Sequence, residues 1–119
     1  MTENIKIDFA KMDGLVPAIV QDAGSGQVLM VGFLNEASYA KTLETGFVTF
    51  WSRTRQKLWM KGESSGNRLR VVDAATDCDW DTLLFRVQVE GDGLVCHEGT
   101  VSCFTRPIAL TPAKNAEAR

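Results

Sequence analysis

The stretch VLMVGFLNEASYAKTLETG, residues 28–46, decides the fold class of this chain. Its first seven residues, Val28 to Leu34, have the length and continuous apolar character of a buried strand. Asn35 is a favoured N-cap residue, and Gly46 is suited to end a helix. The stretch therefore predicts a buried strand over 28–34 that is joined directly to a helix over 36–45.

The rest of the chain predicts strands and turns around that one helix. The apolar run 15–20 lies between turns at 13–14 and 22–26. Its Pro17 suggests a strand at a sheet edge, because proline cannot donate a ladder hydrogen bond. Further strands are predicted over 47–52, 57–61, 68–72 and 83–90, separated by the loops GESSGN (62–67) and GDG (91–93). The predicted fold is a β-rich α+β domain, with a mixed sheet or pseudo-barrel and one prominent helix.

Length and composition indicate one ordinary globular domain over residues 1–119, with a frayed tail over about 105–119. No apolar run approaches the roughly 20 residues of a membrane span, and the N-terminus lacks a signal-peptide pattern. A cytoplasmic protein is therefore expected. The odd count of three cysteines argues against a closed disulfide framework. A net charge of −2 provides no general attraction for nucleic acid.

All three cysteines and the single histidine lie between residues 78 and 103. Thiolates are preferred zinc ligands, and three of them with one open position is the arrangement of a catalytic zinc site. A tight turn at Gly99 would bring the sulfurs of Cys96 and Cys103 to one ion, with Cys78 as a third ligand. The alternative is that these are thiols packed in the core.

The sequence allows three roles for His97. It is a fourth zinc ligand, a general base near neutral pH, or a packed histidine. Neighbouring side chains on an extended segment point in opposite directions, so His97 and Cys96 are poorly placed to bind the same ion. The acid–base role is therefore favoured.

Asp77, Asp79 and Asp81 alternate in the segment DCDWD, residues 77–81. In an extended conformation their carboxylates share one face and repel one another unless a cation lies among them. Magnesium takes oxygen ligands and keeps several waters, so three carboxylates suffice. A solvated acidic loop is an equal alternative. Extension would also turn Cys78 away from the aspartates. Either the segment is a turn, or the backbone separates the two metal sites, or another subunit completes one of them.

The segment WSRTRQKLWMKGESSGN, residues 51–67, interleaves basic and aromatic side chains. Arg53 and Lys61 are suited to contact phosphate groups. The loop that ends the segment offers hydroxyls and a backbone able to form an anion-binding nest; its residues are Ser64, Ser65, Gly66 and Asn67. A solvated charged face is the alternative, and the tryptophans are more typical of a core than of purine stacking. With the acidic triplet, the segment predicts a small phosphate-bearing substrate that meets bound cations.

These segments, taken in order with CHEGTVSCF at 96–104, resemble the phosphoribosyl-AMP cyclohydrolase family of histidine biosynthesis. The likeness runs from about Leu15 to Phe104. It implies hydrolytic opening of the purine ring of 1-(5-phosphoribosyl)-AMP to the formimino-aminoimidazole carboxamide ribotide. Some members are fused to a phosphoribosyl-ATP pyrophosphohydrolase domain, and this chain resembles the single-function form.

The resemblance also implies ligands and an assembly. It implies Zn²⁺ held by Cys78, Cys96 and Cys103. It implies Mg²⁺ held by Asp77, Asp79 and Asp81. It further implies a homodimer whose zinc ligands come from both subunits, which would relieve the conflict at Cys78. On this hypothesis His97, with Glu98 as the alternative, moves the proton during ring opening, while Arg53, Lys61 and the loop over 64–67 hold the phosphates.

Three other functions remain to be weighed. A zinc nucleoside deaminase is expected to carry H-x-E followed by P-C-x-x-C, and neither pattern is present. A zinc-stabilised binding module without catalysis should unfold when its metal is chelated. A thiol redox role is disfavoured because the chain has no C-x-x-C pair.

Overall fold

The computed structural model describes residues 6–111 and shows a strand-rich α+β fold with one α-helix in that range. Residues 112–119, the greater part of the tail predicted to fray, lie outside the described residues. The elements follow a short 3₁₀ turn, Phe9–Met12, and are β1 (Val16–Asp22), β2 (Val28–Leu34), α1 (Glu36–Thr45), β3 (Thr49–Ser52), β4 (Lys57–Met60), β5 (Leu69–Thr76) and β6 (Leu83–Val89). None of the described helices is long and apolar enough to cross a membrane.

Helix α1 begins and ends at the predicted residues. The side chain of Asn35 accepts a 2.9 Å hydrogen bond from the Ser38 backbone, and the Ser38 hydroxyl accepts one of 2.9 Å from the Asn35 backbone. This reciprocal pair satisfies two N–H groups that the helix itself leaves without partners. At the other end, Gly46 has a left-handed φ of 82° and donates its N–H to the Thr42 carbonyl. The helix is therefore fixed by residues within and immediately beside it.

Four strands form a mixed sheet in the order β2-β1-β6-β5, and β3 pairs with β4 in a separate two-stranded ribbon. Strands β1 and β6 are parallel, with Ala18 opposite Leu83, whereas the other pairs are antiparallel. The predicted mixed sheet is thus confirmed. A bridge between Phe47 and Arg70 joins the ribbon to β5, and β3 also contacts β2. The ribbon and the sheet therefore curl around a common core.

The prediction of an edge position for the Pro17 strand was wrong. Strand β1 lies between β2 and β6 at the centre of the sheet. Its parallel pairing with β6 begins at Ala18, one residue after the proline. Pro17 therefore lies at the start of the strand, before the hydrogen bonds to β6 begin, where its missing N–H donor is tolerated.

The core lies on the face of the sheet that carries the alternating apolar residues of β1 and β6. In β6 the predicted alternation is confirmed, since Leu83, Phe85 and Val87 are buried. Strand β2 approaches the ribbon so closely that a Cβ at Gly32 would lie 2.5 Å from ring atoms of the buried Phe50. The principal buried residues are Val16, Ala18, Val20, Leu29, Leu34, Val48, Phe50, Leu69, Leu83, Phe85 and Val87.

Candidate active site

The acidic segment 77–81 is a turn between β5 and β6, one of the alternatives that the sequence left open. Trp80 adopts a left-handed φ of 68°, which reverses the chain. One oxygen of Asp77 accepts hydrogen bonds of 3.1 Å from the backbone N–H groups of Asp81 and Thr82. The turn nevertheless brings the three carboxylates together, since one oxygen from each lies within 4.8 Å of the others.

This geometry suits a small dication. Octahedral oxygens about 2.1 Å from Mg²⁺ lie at most about 4.2 Å apart, so a slight closure of the turn would let Asp77, Asp79 and Asp81 share one ion. Two of the three side chains are exposed, which leaves room for the waters that magnesium retains. Within residues 6–111 it is the one place where at least three His, Cys, Asp or Glu donors converge.

The carboxylates perturb one another as expected for like charges. The adjacent Asp81 and Asp77 raise the pKa of Asp79 above its ordinary value. Partial desolvation opposes ionisation of Asp77, but hydrogen bonds from the Asp81 and Thr82 backbone outweigh it and lower the pKa of Asp77. Lys11 partly neutralises the cluster, with its Nζ 3.2 Å from Asp81 and 3.5 Å from Asp79.

Cys96 and Cys103 are brought together by the predicted turn. Gly99 has a φ of 88° and donates its N–H to the Cys96 carbonyl at 2.9 Å. The chain reverses between the two cysteines, since the backbone N–H groups of Val95 and Cys96 both donate to the Thr100 carbonyl, at 3.1 and 3.0 Å. The backbone N–H of Glu98 lowers the pKa of Cys96, whereas burial and the Cys96 thiol raise that of Cys103. The turn therefore places two of the three predicted zinc ligands near each other.

Cys78 lies far from that pair in the same chain. It is exposed on the β5–β6 turn, next to the start of β6, where Leu83 pairs with Ala18 of β1. Cys103 instead donates its backbone N–H to Leu29 at 2.8 Å, at the start of β2. That end of β2 pairs with the end of β1, because Val28 lies opposite Gln21. Cys78 and Cys103 therefore lie at opposite ends of β1.

His97 is exposed on the turn beside Cys96, so the interpretation of a packed histidine was wrong. Its neighbour Glu98 is held in place by Arg106, with Nη2 3.1 Å from Oε1 and 3.3 Å from Oε2. His97 is thus positioned to meet a solvent-borne ligand near the thiol pair. No signal in the sequence pointed to Arg106 as the partner of Glu98.

The phosphate-binding candidates line two cavities that share Trp59. Arg53 lines a cavity of about 250 Å³, where its guanidinium lies 4.3 Å from the centre of the Phe33 ring. Lys61, Ser64 and Ser65 line the other, of about 400 Å³. Trp59 is 38% exposed and packs on buried Phe50 with ring centres 5.5 Å apart, so it serves the core and also faces solvent.

Asn67 and Gly66 have contacts within the protein that the sequence did not predict. The Asn67 amide donates to Leu94 at 3.0 Å and accepts from the Asp92 backbone at 3.1 Å. Its backbone N–H donates to Ser65 Oγ, and that of Gly66 donates to Gly62. In this conformation the loop presents its serine side chains, and the Asn67 side chain joins it to the segment preceding Cys96.

The two arginines that follow the basic segment are neutralised. Arg70 forms an ion pair with Glu90, and Arg68 Nε lies 3.5 Å from the same carboxylate. Both guanidinium groups also lie over the Phe47 ring, at 4.7 and 5.7 Å from its centre. These two arginines therefore brace the start of β5 against the end of β6.

Comparison with known proteins supports the likeness of the motifs. The family model for phosphoribosyl-AMP cyclohydrolase matches residues 30–105, which include the basic segment, the acidic turn and all three cysteines. A protein of Solibacter usitatus called phosphoribosyl-AMP cyclohydrolase is 60% identical over 102 residues, covering 86% of this chain and 80% of that protein. One of the same name from Streptococcus thermophilus is 54% identical, covering 87% of this chain and 90% of its own length.

A longer relative shows the same region within a larger protein. The histidine biosynthesis bifunctional protein HisIE of Bacteroides thetaiotaomicron is 56% identical over 100 residues. This chain spans 84% of its own length in that alignment but only 48% of the relative. The matched segment is therefore shared by relatives of two different lengths, and the chain belongs to the phosphoribosyl-AMP cyclohydrolase family.

Proposed function

We propose that this protein hydrolyses the purine ring of 1-(5-phosphoribosyl)-AMP in histidine biosynthesis, in the cytoplasm. The observation that carries the proposal is the family match, which spans all three motifs in one continuous segment. It favours ring opening over the deaminase, redox and binding-module alternatives. Water adds to the six-carbon of the ring, and the bond from that carbon to the alkylated nitrogen breaks. The product retains both fragments, as a carboxamide and a formimino group.

The proposed zinc ligands are Cys96 and Cys103 of one subunit with Cys78 of the partner subunit. The neighbouring thiols of Cys96 and Cys103 and the remote position of Cys78 support this division. When bound, zinc lowers the pKa of water and supplies a nucleophile near neutral pH. A homodimer with two such sites follows from this arrangement.

The acidic turn is the proposed magnesium site, supported by the mutual approach of its three carboxylates. Oxygen ligands of this kind suit magnesium, whereas the thiols suit zinc. Zinc would therefore bind at the thiols and magnesium at the carboxylates. In a dimer that brings Cys78 to the partner's thiol pair, the acidic turn approaches the same site, because it contains Cys78 itself.

His97 is the proposed proton carrier, because it is exposed on the turn that bears Cys96. An imidazole can accept a proton from water and donate it to the departing ring nitrogen near neutral pH. Arg53, Lys61, Ser64 and Ser65 are proposed to hold the phosphates, and the cavities that they line support this role. Fixing both ends of the substrate would position its ring for attack.

The test is the ultraviolet difference spectrum when purified protein meets phosphoribosyl-AMP, with and without a zinc chelator. We expect a spectral change that chelation abolishes and added zinc restores. Circular dichroism should show that the chelated protein stays folded, since its core does not depend on the metal. Released ammonia would indicate deamination instead. No change with both metals supplied and the protein folded would reject the enzyme assignment.

A further inference from the structure

Lys11 is the one basic side chain that reaches the acidic turn in the described part of the chain. Its Nζ lies 3.2 Å from Oδ2 of Asp81 and 3.5 Å from Oδ2 of Asp79, and it also donates to the Asp79 carbonyl at 3.2 Å. Contact with two carboxylates and a backbone carbonyl resembles the surroundings of a bound cation. The ammonium therefore lies where positive charge is most favourable.

The backbone around Lys11 holds it there. The N–H of Asp8 donates to the Trp80 carbonyl at 2.7 Å, so the N-terminal segment is attached to the turn itself. Ile7 and Phe9, on either side of Asp8, are buried in the core. The Lys11 side chain, in contrast, is 42% exposed and can swing into solvent without disturbing these anchors. The segment is fixed while its charge is movable.

The same two carboxylates are proposed ligands of the divalent cation. An ion bound at about 2.1 Å from their oxygens would lie within about 5 Å of the ammonium, where like charges repel appreciably. We propose that Lys11 is a built-in competitor for the divalent-cation site, which occupies the carboxylates when the metal is absent and is displaced when it binds. This inference rests on the proposed role of Asp77, Asp79 and Asp81 as ligands.

The arrangement has two consequences. Without metal, Lys11 relieves the repulsion among three carboxylates and stabilises the turn. With metal, removal of the ammonium is part of the binding reaction, so the affinity is lower than the carboxylates alone would provide. Because the ammonium is exposed, the competition should weaken as salt screens it.

The test is isothermal titration calorimetry of MgCl₂ into the full-length, zinc-loaded protein. Removing one positive charge about 5 Å from a dication should tighten magnesium binding by about tenfold at low salt in Lys11→Met. Lys11→Arg keeps the charge and should bind as the wild type does. The matched control is Lys41→Met, because Lys41 pairs with Glu44 at 3.6 Å on helix α1, away from the turn. Raising the salt should narrow the difference between Lys11→Met and wild type.

Thermal melting provides a second readout. Without magnesium, Lys11→Met should melt at a lower temperature than the wild type. Added magnesium should raise the melting temperature of Lys11→Met by more than it raises that of the wild type. Equal or weaker magnesium affinity in Lys11→Met would overturn the inference while leaving the metal site in place. Absence of magnesium binding in both proteins would reject the proposed site and, with it, this inference.

Discussion

His97 and Glu98 are adjacent polar residues on one exposed turn, yet the structure gives them different surroundings. Glu98 is engaged by Arg106, whereas His97 is exposed beside Cys96. Sequence spacing correctly predicted that a turn at Gly99 would join Cys96 to Cys103, because that contact is local. It could not predict that Lys11 meets the acidic turn, since the partners are about 70 residues apart and depend on the folded sheet.

Replacement of the histidine tests its proposed role in proton transfer. His97→Ala should lower turnover by about 10² to 10⁴ while zinc stays bound, because the ligands are untouched. Steady-state kinetics and metal analysis on the same sample provide the check. Glu98→Gln is the matched control and should change turnover by less than about tenfold, because Glu98 is paired with Arg106. Loss of zinc from His97→Ala with an unchanged rate per bound metal would reject the role.

Elements with local signals were predicted well, and those governed by long-range pairing were not. Helix α1 is defined by Asn35, Ser38 and Gly46, all within or beside it, and its bounds were correct. The position of β1 in the sheet depends on β6, far along the chain, so Pro17 alone gave the wrong answer. Likewise, the alternating aspartates did not decide between an extended segment and the turn that the left-handed Trp80 makes.

The close packing of β2 on β3 leads to a prediction at this scale. Gly32→Ala should lower the free energy of unfolding by about 1–3 kcal/mol, because a methyl group would overlap the buried Phe50 ring. Gly24→Ala is the matched control, since its Cβ would meet only an Asp22 oxygen at 3.5 Å. That control should change stability by less than about 0.5 kcal/mol. Urea unfolding of both variants and the wild type measures these changes. Equal stabilities of Gly32→Ala and Gly24→Ala would contradict the close packing of Gly32 on Phe50.

At the scale of the whole molecule, the separation of Cys78 from Cys96 and Cys103 would make the proposed zinc site depend on assembly. The proposed composition of the site comes from the sequence, because ligand chemistry follows residue type, and it stays a prediction. The proposed division of the ligands between subunits was expected from the family resemblance alone, because spacing along the chain does not say which ends of β1 the two segments reach. A second copy that places its β5–β6 turn against the Cys96–Cys103 turn would complete the zinc ligands.

Mixing two inactive variants tests that division. Cys78→Ala and Cys103→Ala should each be inactive alone, yet dimers formed by refolding them together should recover about a quarter of the native sites. In each mixed dimer one site would retain all three thiols and the other would lose two. Activity and zinc content should recover together. The control mixes Cys96→Ala with Cys103→Ala, which leaves no complete site. Failure of the first mixture despite formation of mixed dimers would contradict a shared site.

The parallel pairing of β1 with β6 also determines the order in which parts of the chain can fold. The hairpin of β1 with β2, and helix α1 after it, use only residues near one another and can form while the chain is still being synthesised. The pairing of β1 with β6 can form only after β6, which begins at Leu83, has left the ribosome, because Ala18 pairs with Leu83. The acidic turn immediately precedes β6 and the Cys96–Cys103 turn follows it. Both candidate metal centres are therefore expected to be among the last parts of the chain to take shape.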